Sequence, residues 1–186
     1  MERTFRILGM AGSLRAQSFN RALLQEATRL VPKGVVLEIV ELDGGIPGFN
    51  QDEETNPPPK IVELKQQVRQ ADALLFVTPE YNYSVPGVLK NVIDWVSRPY
   101  GDNAFSGKAA AVMGASIGAI GTARAQYHLR QMFVFLDVHV VNQPEVMVAD
   151  AHEKFDEQGK LKDETARELI GQLLQKLVSL AKQLNA

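Results

Sequence analysis

The chain has 186 residues, the size of one domain, with 45% apolar and 23% charged residues, ordinary values for a soluble globular protein. A formal charge of −2 provides no basic field, so nucleic acid and anionic membrane are excluded as first partners. The absence of cysteine excludes disulfides and thiol redox chemistry. No signal-peptide core and no apolar run of membrane-spanning length is visible, so a cytoplasmic protein is expected.

The predicted elements alternate. Phe5 to Gly12 reads as a buried strand, and Ser18 to Val31 as a helix with Leu23, Leu24, Ala27, Leu30 and Val31 on one face. Val35 to Leu42 is a second strand, Lys60 to Gln70 a helix, and Ala71 to Pro79 a third strand. A helix is expected from about Pro86, with the proline in its first turn, where a missing N–H costs nothing. Lys108 to Ser116 is a fourth strand and Thr122 to Phe135 a fourth helix. A fifth strand lies in VHVVNQPEVMV, interrupted near Pro144. A last helix begins at Asp163, with Ala166, Leu169, Ile170, Leu173, Leu174, Leu177, Ala181 and Leu184 on its apolar face.

Strands alternating with helices predict an α/β fold with a parallel sheet covered on both faces. Five strands fit the flavodoxin-like doubly wound order 2-1-3-4-5, as one domain over residues 1–186. Asp43 to Pro59 remains as a long irregular stretch of the kind that is usually functional or mobile.

In such a sheet, ligands sit beyond the carboxyl ends of the strands, at the switch point. The loop after strand one, GSLRAQSFN, has side-chain donors at Ser13, Ser18 and Asn20 and a fixed charge at Arg15, and it opens a helix. That set suits a phosphate. A plainer reading makes Ser18 a helix cap and Arg15 a solvated charge. The loop is neither G-x-G-x-x-G nor G-x-x-x-x-G-K-[ST], so a dinucleotide pyrophosphate or triphosphate is not indicated there. The loop after strand three, PEYNYS, sets backbone amides between Pro79 and Pro86 and flanks them with tyrosines, a match for a flat ring with polar edges. The alternative is a turn whose tyrosines plug a core or interface. The loop after strand four, GASIGAIGTAR, combines glycines with Ser116. One phosphate end and one planar-ring end together point to FMN.

These motifs resemble the NADPH-dependent FMN reductase family and, within it, the chromate and quinone reductases, over most of the chain. The G-S-x-R-x-x-S-x-N element is complete as Gly12, Ser13, Arg15, Ser18 and Asn20. The P-E-Y-N element is complete as Pro79, Glu80, Tyr81 and Asn82, followed by Ser84, Pro86 and Gly87. The resemblance implies that Ser13, Arg15, Ser18, Phe19 and Asn20 hold the FMN phosphate. It implies that Pro79, Glu80, Tyr81, Asn82 and Tyr83 face the ring, and that Ser116 touches the cofactor from the third loop. Gly44-Gly45 before IPGFNQD depart from the compact LP-FN-D of related chains, so the resemblance does not specify the shape of this edge of the site.

A flavin site needs no catalytic side chain, because the cofactor carries the chemistry. His128, His139 and His152 lack metal-ligand spacing, so no metal is expected. Asp94, in mid-helix, reads as structural, and Glu80 as orienting its loop or meeting the ring. The resemblance implies a ping-pong oxidoreductase with NADPH or NADH as co-substrate and a small-molecule acceptor such as a quinone or chromate. Arg98 and Tyr100 are expected at the nucleotide or substrate entrance, or else as ordinary surface or interface residues. The rival reading is a non-enzymatic flavodoxin-type carrier, against which the weak acidity argues. A phospho-accepting domain would want acidic residues after strands one and three, which this chain lacks. Finally, Met132 to Leu136 is an unbroken apolar run, more than one helix stripe can bury, which predicts a homodimer or homotetramer unless the helix ends early.

Overall fold

The computed structural model describes residues 3–42 and 44–186. Five parallel strands carry the sheet in the order β2-β1-β3-β4-β5, the flavodoxin-like order. They are β1 (Phe5–Ala11), β2 (Val35–Val40), β3 (Ala73–Val77), β4 (Ala109–Ala115) and β5 (His139–Val140). A sixth strand, β6 (Val146–Val148), continues the edge beside β4. The expected fifth strand is thus two short pieces. β5 pairs with Ala109 and Ala110, and β6 with Met113 to Ala115. Pro144 lies between them, where a proline has no N–H to give a ladder.

The helices are α1 (Phe19–Leu30), α2 (Pro59–Gln70), α3 (Gly87–Val96), α4 (Ala123–Phe135), α5 (Ala151–Lys154) and α6 (Glu164–Leu184). α1 and α6 cover one face of the sheet and α2, α3 and α4 the other. β3 shows why its sequence is apolar throughout. Ala73, Leu75 and Val77 point into the α1–α6 layer, and Leu74 and Phe76 into the other, all fully buried. The Phe76 ring lies 4.8 Å from that of Phe133 on α4. No helix among the described residues is long and apolar enough to cross a membrane.

Two expectations need adjustment, and one element is new. Pro86 is the residue before α3, not part of its first turn, and Gly87 is the first helical residue. Leu184 is exposed at the end of α6, beyond the reach of the layer that buries Ala166 through Ala181. α5 is a single turn that the sequence pattern did not reveal. The α4 run resolves clearly. The helix continues to Phe135, with Phe133 and Leu136 in the core and Val134 and Phe135 83% and 75% exposed. Asp94 has the structural role expected of it, pairing with Lys90 one turn earlier.

Two stability predictions follow from this packing. A Cβ on Gly114 in β4 would collide with the Thr122 Oγ1 and with the Thr78 carbonyl oxygen, which is backbone and cannot rotate away. Gly114→Ala is expected to cost about 1–3 kcal/mol, measured by urea unfolding. Asp163 caps α6 by accepting the Ala166 N–H at 2.8 Å, and Lys154 donates to the same carboxylate. The Lys154 hydrogen bond, then the Ala166 amide, hold this carboxyl below the usual aspartate range. Its contribution is therefore present above the ordinary aspartate value and lost as pH falls through the lower folded one. Asp163→Asn keeps a capping acceptor but loses the charge that pairs with Lys154, and should destabilise the protein at neutral pH by up to about 1 kcal/mol and flatten the acid limb of its stability curve.

Candidate functional site

The loops after β1, β3 and β4 meet at the carboxyl edge of the sheet. In the first, Ser18 is the N-cap of α1, and its Oγ accepts the N–H groups of Asn20 and Arg21 at 3.2 and 3.4 Å. Ser13 Oγ accepts the Arg15 N–H at 3.4 Å. Both serines are about 95% buried, at 4% and 5% exposure, and acting as acceptors leaves each hydroxyl hydrogen available to an incoming anion. The Arg15 guanidinium lies 5.8 Å over the Phe19 ring and has no ion-pair partner among the described residues. Donors without acceptors and a cation without an anion are what a phosphate completes.

Asn20 has a different job from a free donor. Its Nδ2 donates to the Ala115 carbonyl at 2.8 Å and its Oδ1 accepts the Ala115 N–H at 2.9 Å, so it clamps α1 to the end of β4. Phe19 packs on Phe155 with ring centroids 5.3 Å apart. That contact brings in a fourth segment, the turn at 156–160, closed by Asp156 N–H to the Lys160 carbonyl at 2.9 Å. A cavity of about 940 Å³ runs from Ser13, Arg15 and Ser18 along α1 to this turn. It covers the phosphate end only, and none of the second-loop residues line it. The ring end is defined instead by the geometry of the loops themselves.

In the second loop, Tyr81 and Ser84 exchange both backbone hydrogen bonds at 3.0 Å, and Asn82 and Tyr83 have φ of 50° and 68°. This is a two-residue turn with both central residues left-handed. Asparagine tolerates that region, whereas tyrosine is strained there by about 1–3 kcal/mol. The amides of Glu80, Asn82 and Tyr83 carry no hydrogen bond among the described residues and are free to meet a ring edge. Glu80 points the other way. Its buried carboxylate accepts the Arg124 and Ala125 N–H groups at 3.0 and 3.2 Å, and the Arg124 Nε at 2.5 Å. It thereby caps α4 from a neighbouring loop. The Arg124 guanidinium lies 3.5 Å over the Tyr83 ring, and Ser84 Oγ is 2.9 Å from His128 Nδ1. Tyr81 and Tyr83 are 50% and 67% exposed, which removes the alternative that they plug the core.

In the third loop, the Ser116 N–H donates to the Val148 carbonyl at 2.9 Å, and its Oγ accepts the Gly118 N–H at 3.1 Å. Gly121, at φ 61°, backs onto Met147, where a side chain would be both strained and crowded.

A family model described as NADPH-dependent FMN reductase matches residues 5–153. The chain belongs to this oxidoreductase family. It is 56% identical over 178 residues to the NAD(P)H-dependent FMN reductase of Pseudomonas aeruginosa, covering 95% of each chain. It is 41% identical over 177 residues to the quinone reductase of Escherichia coli strain K12, covering 93% of this chain and 94% of that one. The structure is similar to the flavoenzyme NAD(P)H:(acceptor) oxidoreductase FerB of Paracoccus denitrificans, with a TM-score of 0.86, 33% identity, and 96% and 98% of the two chains covered.

Beside this family site, the irregular stretch after β2 docks on α3. Asn91 and Trp95 both donate to the Pro47 carbonyl, at 2.8 and 2.9 Å, and Asn91 accepts the Phe49 N–H at 2.7 Å. Arg98 is engaged there too. Its Nε donates to Glu54 at 2.7 Å, and this bond raises the guanidinium above its ordinary pKa. Arg98 therefore anchors the stretch, while Tyr100, 73% exposed and stacked 3.9 Å from the Arg98 guanidinium, stays open to solvent. Sequence reading missed Arg124 and the 156–160 turn. The acid–base complement of Glu80 and Arg124 is present in the chain, but 44 residues separate them and only the fold pairs them.

Asn20→Ala removes both clamp bonds and leaves the Ala115 N–H and C=O buried without partners. We expect a loss of about 2–4 kcal/mol in chemical unfolding, with Asn20→Asp recovering little because a carboxylate cannot donate to the carbonyl.

Proposed function

We propose that this protein binds FMN noncovalently and passes reducing equivalents from NADPH or NADH to a quinone or a similar small acceptor. The observation that carries this reading is the pairing, on one sheet edge, of two buried serine hydroxyls and an unpaired arginine with a strained hairpin that leaves three amides free. Ser13, Arg15 and Ser18 hold the phosphate, with Phe19 and Asn20 fixing the turn that presents them. Pro79 to Tyr83 line the ring through their backbone, and Ser116 offers its hydroxyl from the third loop. FMN, when bound, accepts a hydride and returns electrons to an acceptor.

The chain's own contribution is positioning and exclusion of water. Leu14, Tyr81, Tyr83, Ile117 and Ile120, one to two from each loop, are exposed large apolar side chains on the same edge. Such a rim favours a flat, largely apolar acceptor over a hydrated oxyanion such as chromate. One mouth serving donor and acceptor in turn supports ping-pong order. The names of the relatives, reductases throughout those compared, favour an enzyme over a flavodoxin-type carrier. The exposed Val134 and Phe135 on α4 support self-association, as a homodimer or homotetramer.

The purified protein is expected to be yellow, and titration of the apo form should show Arg15→Ala weakening FMN by about 10- to 100-fold, the loss of a charge-assisted contact of roughly 1.5–3 kcal/mol. Unchanged affinity with an intact fold would overturn the phosphate assignment. Steady-state rates with NADPH and a benzoquinone should give parallel double-reciprocal lines; no turnover from FMN-loaded protein would favour the carrier. Light scattering should show Phe135→Glu as a smaller species than the parent protein, and equal masses would remove α4 from the interface.

A further inference from the structure

The Glu80 carboxylate lies in the loop that faces the ring, yet every bond it makes runs to α4. It accepts the Arg124 and Ala125 amides and the Arg124 guanidinium, and its side chain is only 5% exposed. The same guanidinium covers the ring of Tyr83, the residue held in the more strained left-handed position. A third tie, Ser84 to His128, joins the far end of the hairpin to the same helix. α4 in turn starts at Ala123, directly out of the third loop. Loops two and three are thereby joined at Glu80.

We propose that Glu80 is a positioning residue for the ring end of the cleft. Its carboxylate does not meet the ring; together with Arg124 it holds the Asn82–Tyr83 turn in its left-handed form, so that the free amides of Asn82 and Tyr83 keep a fixed direction. The logic is that of a strained conformation over-determined by its surroundings. A bulky residue at positive φ reverts to the ordinary regions unless its neighbours prevent it. A carboxylate is well suited to this place, because it accepts from two helix amides and a guanidinium at once and lies at the positive end of α4. This inference rests on the flavin reading given above and assigns Glu80 a role distinct from that of Arg15.

Riboflavin, which lacks the phosphate, separates the two roles. Wild-type apoprotein is titrated with FMN and with riboflavin by fluorescence quenching, alongside Glu80→Gln, Arg124→Gln, Arg15→Ala, Tyr83→Gly and the double variant Glu80→Gln/Tyr83→Gly. Glu80→Gln is expected to weaken FMN and riboflavin by the same factor, about tenfold, and to alter the visible circular dichroism of bound flavin. Arg15→Ala should weaken FMN selectively. Glycine enters the left-handed region freely, and Asn-Gly is the preferred pair for this turn. Tyr83→Gly should therefore restore to the Glu80→Gln background the affinity of the Tyr83→Gly single variant. Arg124→Gln leaves the helix-capping carboxylate in place and should give the same parallel loss, which guards against a folding defect at Glu80. Unchanged binding in both Glu80→Gln and Arg124→Gln, a loss confined to FMN, or no recovery by Tyr83→Gly each overturns the assignment. Failure of the wild type to bind either flavin would instead overturn the flavin reading itself.

Discussion

One carboxamide fixes the relation between the first and third loops of the cleft. Asn20 sits in the first turn of α1 and bonds the N–H and the C=O of Ala115, the last residue of β4. Without it, two backbone groups at a buried strand end would lack partners, a larger penalty than the bonds themselves return. β1 and β4 are not neighbours in the sheet, since β3 runs between them. The clamp therefore spans a strand and sets where the first loop stands relative to the third. The buried serines of the first loop keep their place because α1 cannot slide along the sheet.

The second loop depends on a similar device of opposite chemical kind. Its polar groups cannot be satisfied by the sheet, because the chain turns back on itself within two residues. A charge from one loop then meets the amide end of a helix from another, and the bond is strong because the carboxylate is buried and all its partners are donors. The conformational strain in Tyr83 is tolerated because the parts around it are rigid. A neutral amide-lined turn facing outward is the product.

The long stretch after β2 shows a third solution. Among the described residues its one helical element is the short turn Gln51–Glu53. It is also held by Asn91 and Trp95 on α3 and by Arg98 just beyond that helix, whose side chains reach the Pro47 carbonyl, the Phe49 amide and Glu54. The Phe49 ring meets that of Trp95 edge-on at 5.0 Å. The buried indole finds a polar partner for its N–H in this way. The departure from the compact family pattern at Gly44-Gly45 thus leaves the stretch docked beside the site, at the level of Arg98.

The sequence by itself determined the sheet, its covering helices and the two loops that bear the chemistry. Those features are local. Short apolar runs closed by glycine, serine or proline read as strands buried on both faces, and apolar residues at helical spacing as helices covering them. Serine, arginine, proline and tyrosine at a strand end declare a polar turn without reference to the rest of the chain. The sequence also marked the break in the last strand through Pro144, and the excess of apolar residues on α4. What only the tertiary structure decided was the direction of each polar side chain. Asn20 read as a phosphate donor and bonds Ala115; Arg98 stood open between an entrance residue and an ordinary surface or interface one and bonds Glu54; Glu80 stood open between two roles and bonds α4. In each case the partner lies 44 or more residues away. A polar group's role is set by which donor or acceptor the fold brings within about 3 Å, and no local pattern carries that information.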